Sequence, residues 1–190
     1  MNLEKYYDEA LRTLVPRGLT FDLNHSVLGL VTEIGEVATL IKRNEIYGKP
    51  WDDEMRGHLA EELGDICWYI PCGLQALGHE GPVRVFDWLM YDQTVPLSQL
   101  DCVKAMAHAV GHLAKACDTL KYKAGRIATL TDDYSAVLGA VCRLCDIHSL
   151  DLSAVLESNI AKLRKRYPEK FTAELAEARL DKGGASSRES

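Results

Sequence analysis

The stretch VTEIGEVATLIK, residues 31–42, has apolar residues at helical spacing, and two acids interrupt them. Residues three and four apart share one face of a helix, so Glu33 and Glu36 are neighbours at the edge of the apolar stripe. Leu30 and Val37 flank Glu33 on that face. The sequence therefore predicts a helix that brings two carboxylates to a partly buried place.

A second stretch, AEELGDICWYI at residues 60–70, repeats this pattern with Glu62 and Asp65. In both stretches a glycine lies between the two acids, Gly35 in the first and Gly64 in the second. Because glycine has no side chain, we expect another helix to approach closely at both positions. Two adjacent helices should then offer four carboxylates to one site.

A group of buried carboxylates needs compensation, because like charges in a low-dielectric place repel unless they take up protons or meet cations. Mg²⁺ and Mn²⁺ prefer oxygen ligands, and carboxylates on facing helices can hold them while leaving positions for water and phosphates. The competing interpretation is a solvated face, since 26% of the residues are charged and such pairs arise by chance. Two pairs that both interrupt apolar stripes favour a divalent-metal site.

Helical periodicity extends along almost the whole chain, and no segment alternates apolar and polar residues between turn signals. We therefore predict an all-α helical bundle that forms a single domain over residues 1–180. The expected helices are residues 3–14, 24–43, 53–77 with a kink at Pro71, 98–125, 131–148 and 151–167. The expected connections and ends are a linker at residues 79–97, a short helix at 172–180 and a disordered tail at 181–190.

The composition is that of a globular domain, because 47% of the 190 residues are hydrophobic. A net charge of -6 argues against binding of nucleic acid through overall charge. The start, MNLEKYYDEA, is charged where a signal peptide needs an apolar run, and no segment approaches the roughly 18 apolar residues of a membrane span. We expect a cytoplasmic location, no nucleic-acid or membrane partner, and small molecules, metals or other subunits as partners.

The six cysteines lie inside helix-like apolar segments, which predicts reduced thiols rather than a disulfide framework. Cys142, Cys145 and His148 follow one another at intervals of three, a spacing that allows zinc binding, and His108 and His112 share a helix face. No second cysteine pair in the sequence completes four ligands at the usual spacing. Buried thiols and ordinary helix histidines are therefore favoured over structural zinc.

The two acid pairs and the sequence around them resemble a known protein family. The blocks LGLVTEIGEV, IYGKPWD, EELGDICWYI and NIAKLRKRYPEKF occur in the order found in MazG-like all-α nucleoside triphosphate pyrophosphohydrolases of the phage and bacterial type. The resemblance covers roughly residues 20–78 and 150–171. It implies that Mg²⁺ or Mn²⁺, with more than one ion per site, supports cleavage of a nucleoside triphosphate between its α and β phosphates. For a phage member of the family, the compartment would be the host cytoplasm.

The resemblance also implies roles for individual residues. The family's metal-ligand positions are occupied by Glu33, Glu36, Glu62 and Asp65. One of these carboxylates, or Glu61 beside them, would act as the general base. Many relatives have an additional acid where this chain has Thr32, which leaves the identity of the base open.

Substrate contacts are expected from two further groups of residues. The candidates for the nucleoside pocket, which compete with simple packing in the core, are His25, Lys49, Trp51 and Tyr69. The candidates for the phosphate side, which match the family's N-x-x-K-L-x-x-R-Y-P block, are Asn159, Lys162, Arg166 and Tyr167. Basic residues near a helix C-terminus also complement the helix dipole without any ligand.

The substrate base and the assembly follow only from the resemblance. Likeness to phage-type members weakly favours dGTP or GTP, with dCTP or dUTP as the alternative, and implies a homodimer or homotetramer. Two other classes compete with this enzyme: a metal-binding bundle of the di-iron type and a non-catalytic interaction bundle. Di-iron bundles use Glu-x-x-His pairs, so the acid pairs of this chain favour hard ions.

Residues 79–149 separate the two blocks that carry the resemblance, and we interpret them as a degenerate copy of the first helix pair. In this alignment Gly111 corresponds to Gly35, and Asp133 corresponds to Glu62. The positions of Glu33, Glu36 and Asp65 are then occupied by Ala109, His112 and Ala136. Helical periodicity alone would produce a similar match, so the copy is a hypothesis that predicts one working and one lost carboxylate cluster.

Overall fold

The structure is a computed structural model that describes residues 1–79, 81–82, 98–119 and 127–167. The described helices are α1 (Leu3–Leu11), α2 (Leu19–Glu45), α3 (Asp53–Ala76), α4 (Gln99–Thr119), α5 (Ile127–Ile147) and α6 (Leu152–Arg166). None of the described residues belongs to a strand, which confirms the all-α prediction. Most of the expected linker, the expected end of the fourth helix, the short helix at 172–180 and the tail at 181–190 lie outside the described residues.

Two helix starts are fixed by aspartate caps. The side chain of Asp52 accepts a hydrogen bond of 2.7 Å from the backbone N–H of Met55, which caps α3. Asp151 accepts one of 2.9 Å from the backbone N–H of Ser153 and caps α6. Each cap satisfies a backbone donor that the helix itself leaves without a partner. Helix α3 then continues through Pro71 to Ala76.

Three helix boundaries within the described ranges differ from the predicted ones by three residues or more. Helix α1 ends three residues early, at Leu11. Helix α2 starts at Leu19, because the carboxylate of Asp22 accepts hydrogen bonds from the backbone N–H groups of Arg17 and Gly18 and so fixes the turn before the helix. Gly18 has a φ of 108°, a conformation that glycine adopts readily. Helix α5 starts at Ile127, four residues before the predicted cap.

The helices pack as two hairpin-like pairs with α1 and α6 on one side. Helices α2 and α3 pack against each other, and so do α4 and α5. The two pairs meet where α2 packs on α4 and α3 packs on α5. Helix α6 packs on α3, and α1 packs on both α3 and α6. Gln99 at the start of α4 donates hydrogen bonds to Asn44 and Glu45 at the end of α2, so α4 runs antiparallel to α2. Among the described residues, no helix is both long enough and apolar enough to cross a membrane.

The centre of the bundle contains one polar contact between the two pairs. Ser26 of α2 donates a hydrogen bond of 2.7 Å to the carbonyl of Tyr69 and lies 2.9 Å from the hydroxyl of Tyr134 on α5. A Cβ atom at Gly73 would lie 1.8 Å from that hydroxyl, so α3 and α5 can approach only because residue 73 is glycine. Tyr134 is fully buried, and the two hydrogen-bonded hydroxyls avoid the cost of an unpaired polar group in the core.

Candidate metal centre

Three of the four predicted metal ligands meet at the contact between α2 and α3. Glu33, Glu62 and Asp65 each offer one carboxylate oxygen, and these oxygens lie within 4.8 Å of one another. Glu62 and Asp65 share one face of α3, and Glu33 lies opposite them on α2, with all three side chains partly buried. Among the described residues, no other group of histidine, cysteine or acidic side chains has ligand atoms so close together.

Glu36, the fourth predicted ligand, lies at the edge of this cluster. Glu36 is exposed to solvent, and its carboxyl group shares a hydrogen bond with the carboxyl group of Glu62. Burial and the charge of Glu36 raise the pKa of Glu62 to about 8. Burial, followed by the charge of Asp65, raises the pKa of Glu33. Glu62 therefore holds a proton at neutral pH that a divalent cation would displace.

Asp65 has a hydrogen-bond partner on each oxygen, and both partners come from α6. Asn159 Nδ2 donates to Asp65 Oδ1 over 2.8 Å, and Lys162 Nζ lies 2.5 Å from Asp65 Oδ2. Burial raises the pKa of Asp65, although the Lys162 ammonium opposes this rise. Two of the four residues predicted for the phosphate side thus lie directly on a predicted metal ligand.

Glu61 lies beside the cluster and pairs with the same lysine. Its Oε1 is 3.3 Å from Lys162 Nζ, and its side chain is 38% exposed. Lys162 is only 16% exposed, so its charge is held between two carboxylates on α3. As a candidate base, Glu61 therefore lies beside the converging oxygens and already has a cationic partner.

Arg166 and Tyr167 lie at the C-terminal end of α6. The Arg166 guanidinium is near enough to Asp65 to oppose the rise in the pKa of that carboxyl group. Its Cζ lies 6.0 Å from the centre of the Tyr167 ring. Tyr167 is buried and closes α6 with a hydrogen bond of 2.7 Å from its backbone N–H to Leu163. Arg166 thus adds a second cation near Asp65, whereas Tyr167 has a packing role.

The two glycines between the acids have different surroundings. A Cβ atom at Gly64 would lie 3.1 Å from the Cβ of Asn159, so glycine allows α6 to pack close to α3. A Cβ atom at Gly35 would meet nothing within 4 Å. Close helix approach is therefore confirmed for Gly64, and it was the wrong prediction for Gly35, because the face of α2 that carries Gly35 is turned away from the other described helices.

His25, Trp68 and Tyr69 form an aromatic group between α2 and α3. In α2, His25 lies on the N-terminal side of Glu33. The His25 ring is 5.7 Å from both Trp68 and Tyr69, and these two rings lie 4.9 Å apart. Tyr69 packs directly on the backbone of Gly29, where a Cβ atom would be 2.1 Å from the ring. Burial lowers the pKa of His25, so the imidazole is neutral at pH 7. The group is an apolar wall near Glu33, whose charge helps to raise the pKa of Tyr69.

The structure does not bring Lys49 or Trp51 to the carboxylates. The Trp51 ring lies 4.1 Å from the ring of His148, where both line a cavity of about 790 Å³ at the other end of the helix pair. Glu62 lies nine positions after the start of α3 at Asp53, which corresponds to about 13 Å along the axis. Lys49 is exposed in the preceding turn. Trp51 therefore fits the competing interpretation of a packing residue.

The alternative zinc ligands do not form a metal-binding group among the described residues. His148 Nε2 lies 3.1 Å from Gln99 Oε1, and its ring packs on Trp51. Burial raises the pKa of the Cys142 thiol to about 11 and that of Cys145 to about 12, so both are protonated at neutral pH. Within the described ranges, the ligand atoms of Cys142, Cys145 and His148 belong to no converging group.

The second helix pair repeats the register of the first. Buried Leu30, Ile34, Val37 and Ile41 of α2 correspond in the alignment to buried Met106, Val110, Leu113 and Cys117 of α4. Buried Leu63, Ile66, Cys67 and Ile70 of α3 correspond to buried Tyr134, Val137, Leu138 and Val141 of α5. His112 Nδ1 lies 3.3 Å from Asp133 Oδ1, at the positions where Glu36 meets Glu62 in the first pair. The shared register supports the hypothesis of a degenerate copy.

One residue at the site was missed by the sequence reasoning. The hydroxyl of Tyr6 on α1 donates a hydrogen bond of 2.8 Å to Asn159 Oδ1. Tyr6 falls within the first predicted helix, and 152 residues lie between it and Asn159. No local sequence signal identifies such a pair.

The chain was compared with protein-family models, with curated proteins and with solved structures, and none of the three comparisons found a match.

Proposed function

We propose that this chain is a divalent-metal-dependent nucleoside triphosphate pyrophosphohydrolase that releases the monophosphate and pyrophosphate. The observation that carries the proposal is the convergence of Glu33, Glu62 and Asp65 at one point, with Lys162 beside them. The motif resemblance described above supports the same reaction. A site with clustered acids and neighbouring cations is suited to a substrate whose phosphates need both metal ions and basic side chains.

The residues of the cluster fit Mg²⁺ or Mn²⁺ better than softer ions. All three converging ligands are carboxylate oxygens, and no histidine or cysteine of the described residues joins them. Hard ions prefer such ligands, whereas di-iron bundles combine carboxylates with histidine. When bound, the ion would neutralise phosphate charge and make water a better nucleophile. Glu33, Glu62 and Asp65 would hold it, with Glu36 as a further ligand or as the base.

We assign the general base to Glu36 in preference to Glu61. One oxygen of Glu61 lies 3.3 Å from the Lys162 ammonium, so this carboxylate is already engaged in an ion pair. Glu36 instead contacts another carboxyl group, that of Glu62, at the exposed edge of the cluster. A carboxylate there can accept a proton from a water molecule that enters from solvent.

The cations of α6 would bind the phosphates that leave. Lys162 lies on Asp65 and Glu61, and Arg166 is near Asp65. A triphosphate carries several negative charges and would attract Lys162 away from the two carboxylates. Lys162 would then stabilise negative charge on the leaving pyrophosphate, while Asp65 would become fully available to the metal.

The base of the substrate would contact the aromatic group formed by His25, Trp68 and Tyr69. These rings can pack on a purine or a pyrimidine, and the neutral His25 has both a donor and an acceptor. None of these contacts selects one base. The weak preference for dGTP or GTP and the alternative of dCTP or dUTP therefore remain to be separated by assay.

The proposal is tested by product analysis. The native chain and Glu36→Ala would be incubated with a panel of ribo- and deoxynucleoside triphosphates and Mg²⁺, with EDTA as a control, and the products separated by anion-exchange chromatography. We expect equal amounts of monophosphate and pyrophosphate from at least one nucleotide, and loss of this activity in Glu36→Ala and in EDTA. Diphosphate plus phosphate would contradict the cleavage position. Absence of turnover for every nucleotide would favour the non-catalytic bundle.

A further inference from the structure

The N-terminal helix contributes a buried polar group to a chain of hydrogen bonds that ends on a metal ligand. Tyr6 and Asn159 are 2% and 4% exposed, so water does not compete for their polar atoms. The Tyr6 hydroxyl donates to Asn159 Oδ1 over 2.8 Å, and Asn159 Nδ2 donates to Asp65 Oδ1 over 2.8 Å. Three helices, α1, α6 and α3, are joined in this order by these two bonds.

The direction of the chain follows from the chemistry of its three groups. The Asp65 carboxylate only accepts hydrogen bonds, so it requires the NH₂ side of the Asn159 amide. The amide oxygen must then face the opposite way, where the one hydroxyl hydrogen of Tyr6 meets it. The other acceptor near this hydroxyl, the carbonyl of Gly64, is farther away at 3.4 Å. Tyr6 therefore stabilises the one amide orientation that donates to Asp65.

We propose that Tyr6 is a positioning residue of the metal centre, which acts through Asn159 to hold the Asp65 carboxylate in its ligand orientation. The inference rests on the proposed metal centre but not on the identity of the substrate. Without the hydroxyl, the buried amide oxygen of Asn159 has no donor, and only the bond to Asp65 still fixes the amide. An amide held by one bond instead of two would fix the Asp65 carboxylate less firmly in its ligand orientation.

The position of Tyr6 in the chain makes this role unexpected. Residues 20–78 and 150–171 carry the resemblance described above, and α1 lies before both. Glu9 of α1 has an ion pair of 2.8 Å with Arg164 of α6, which helps to hold α1 on the helix that bears Asn159. Helix α1 therefore supports the metal centre in addition to covering the apolar core.

The test is the affinity for Mn²⁺, measured by electron paramagnetic resonance without any nucleotide, in the native chain and in Tyr6→Phe. The substitution removes one hydroxyl and keeps the buried ring. We expect the affinity to fall about tenfold, as is typical when a partner of a metal ligand is lost. The matched control is Tyr7→Phe on the same helix, α1. This substitution removes a hydroxyl that donates to the carbonyl of His79, and it should leave the Mn²⁺ affinity unchanged.

A double-mutant cycle separates positioning from general structure. If Tyr6 acts through Asn159, then Tyr6→Phe should have no further effect on Mn²⁺ affinity in a chain that already carries Asn159→Ala. Native affinity in Tyr6→Phe, or losses that add in the double variant, would overturn the inference and leave the proposed enzyme untouched. Absence of Mn²⁺ binding by the native chain would instead contradict the metal centre itself. If Tyr6→Phe does not fold, Asn159→Ala breaks the same chain at its other link, and native Mn²⁺ affinity in that variant would overturn the inference.

Discussion

Lys162 Nζ lies 2.5 Å from Asp65 Oδ2, so an ammonium group occupies one side of the carboxylate cluster. This cation partly offsets the repulsion between the acids, and it lies where a bound metal ion would also be attracted. The Lys162 ammonium and a bound metal ion would both favour the ionised form of Asp65, but these two positive charges repel each other. The pairing implies that Lys162 exchanges partners during the proposed reaction and leads to the first prediction.

Replacement of Lys162 by methionine should separate metal binding from catalysis. Loss of the ammonium removes a repulsion worth about 1 kcal/mol after screening, so Mn²⁺ affinity should rise by roughly fivefold. Turnover of the triphosphate should fall about 100-fold, because the charge on the leaving group loses its cation. Mn²⁺ titration and initial rates measure the two effects. The control is Lys165→Met on the same helix, and a fall of both quantities in Lys162→Met would contradict the proposed role.

The raised pKa of Glu62 predicts a stability that falls as the pH rises in the absence of metal. Its pKa is about 8 in the folded chain and near 4.5 when unperturbed, so the folded state binds more protons between these values. The stabilisation is complete below pH 4.5 and is lost as the pH rises to about 8. Because the side chain is partly exposed, we expect a contribution of about 1 kcal/mol rather than the full value of the shift.

Glu62→Gln should remove this pH dependence. In urea unfolding with EDTA, the variant should be more stable than the native chain at pH 8 by about 1 kcal/mol and similar to it at pH 4.5. Added Mn²⁺ should stabilise the native chain at pH 8 and have little effect on the variant. The opposite result would be a free energy of unfolding that rises between pH 5 and 8 in the native chain without metal. It would contradict the raised pKa of Glu62 and with it the clustering of the carboxylates.

The two glycines between the acids give a matched pair of substitutions. Gly35→Ala places a methyl group in open space on α2 and should stabilise the chain by about 0.5–1 kcal/mol through helix propensity. Gly64→Ala brings the methyl group to 3.1 Å from Asn159 Cβ, and Asn159 is fixed by hydrogen bonds on both sides of its amide. We expect a lower melting temperature and weaker Mn²⁺ binding for Gly64→Ala only. Equal stabilisation by both substitutions would contradict the close packing of α6 on α3 at Gly64.

The degenerate copy predicts that Asp133 is dispensable for catalysis. Asp133 corresponds to Glu62, but its neighbours at the other ligand positions are Ala109, His112 and Ala136. A single carboxylate paired with a histidine cannot replace three converging acids. Asp133→Asn should therefore keep Mn²⁺ affinity and turnover within about twofold of native. A strong loss of either would show that the second pair has a function of its own.

The sequence predicted those parts of the fold that depend on local chemistry. Periodicity placed α3 within one residue at its end, and the Asp151 cap placed α6, because caps and apolar stripes act over one or two helical turns. The start of α2 depends on the Asp22 side chain, which accepts a hydrogen bond from the backbone N–H of Gly18. Boundaries set by such contacts are less visible in a sequence than the helices themselves.

The site was predictable to a similar degree. The interrupted stripes identified Glu33, Glu62 and Asp65, since acids at the edge of an apolar stripe lie close to the packed partner helix. Lys49 and Trp51 were assigned through a loop, and loop sequence does not fix direction, so Trp51 was found on His148 instead. The Tyr6 contact with Asn159 depends on how α1 docks, which only the whole packing arrangement determines.

The most direct test of the account is the rate of pyrophosphate release from the best nucleotide with Mg²⁺, measured side by side for the native chain, Glu62→Gln and Asp133→Asn. Both variants exchange one carboxylate for an amide at corresponding positions of the two helix pairs. The account predicts turnover by the native chain and by Asp133→Asn, and a loss of at least about 100-fold in Glu62→Gln. Equal rates in the two variants, or no pyrophosphate from the native chain, would contradict a catalytic centre at Glu33, Glu62 and Asp65.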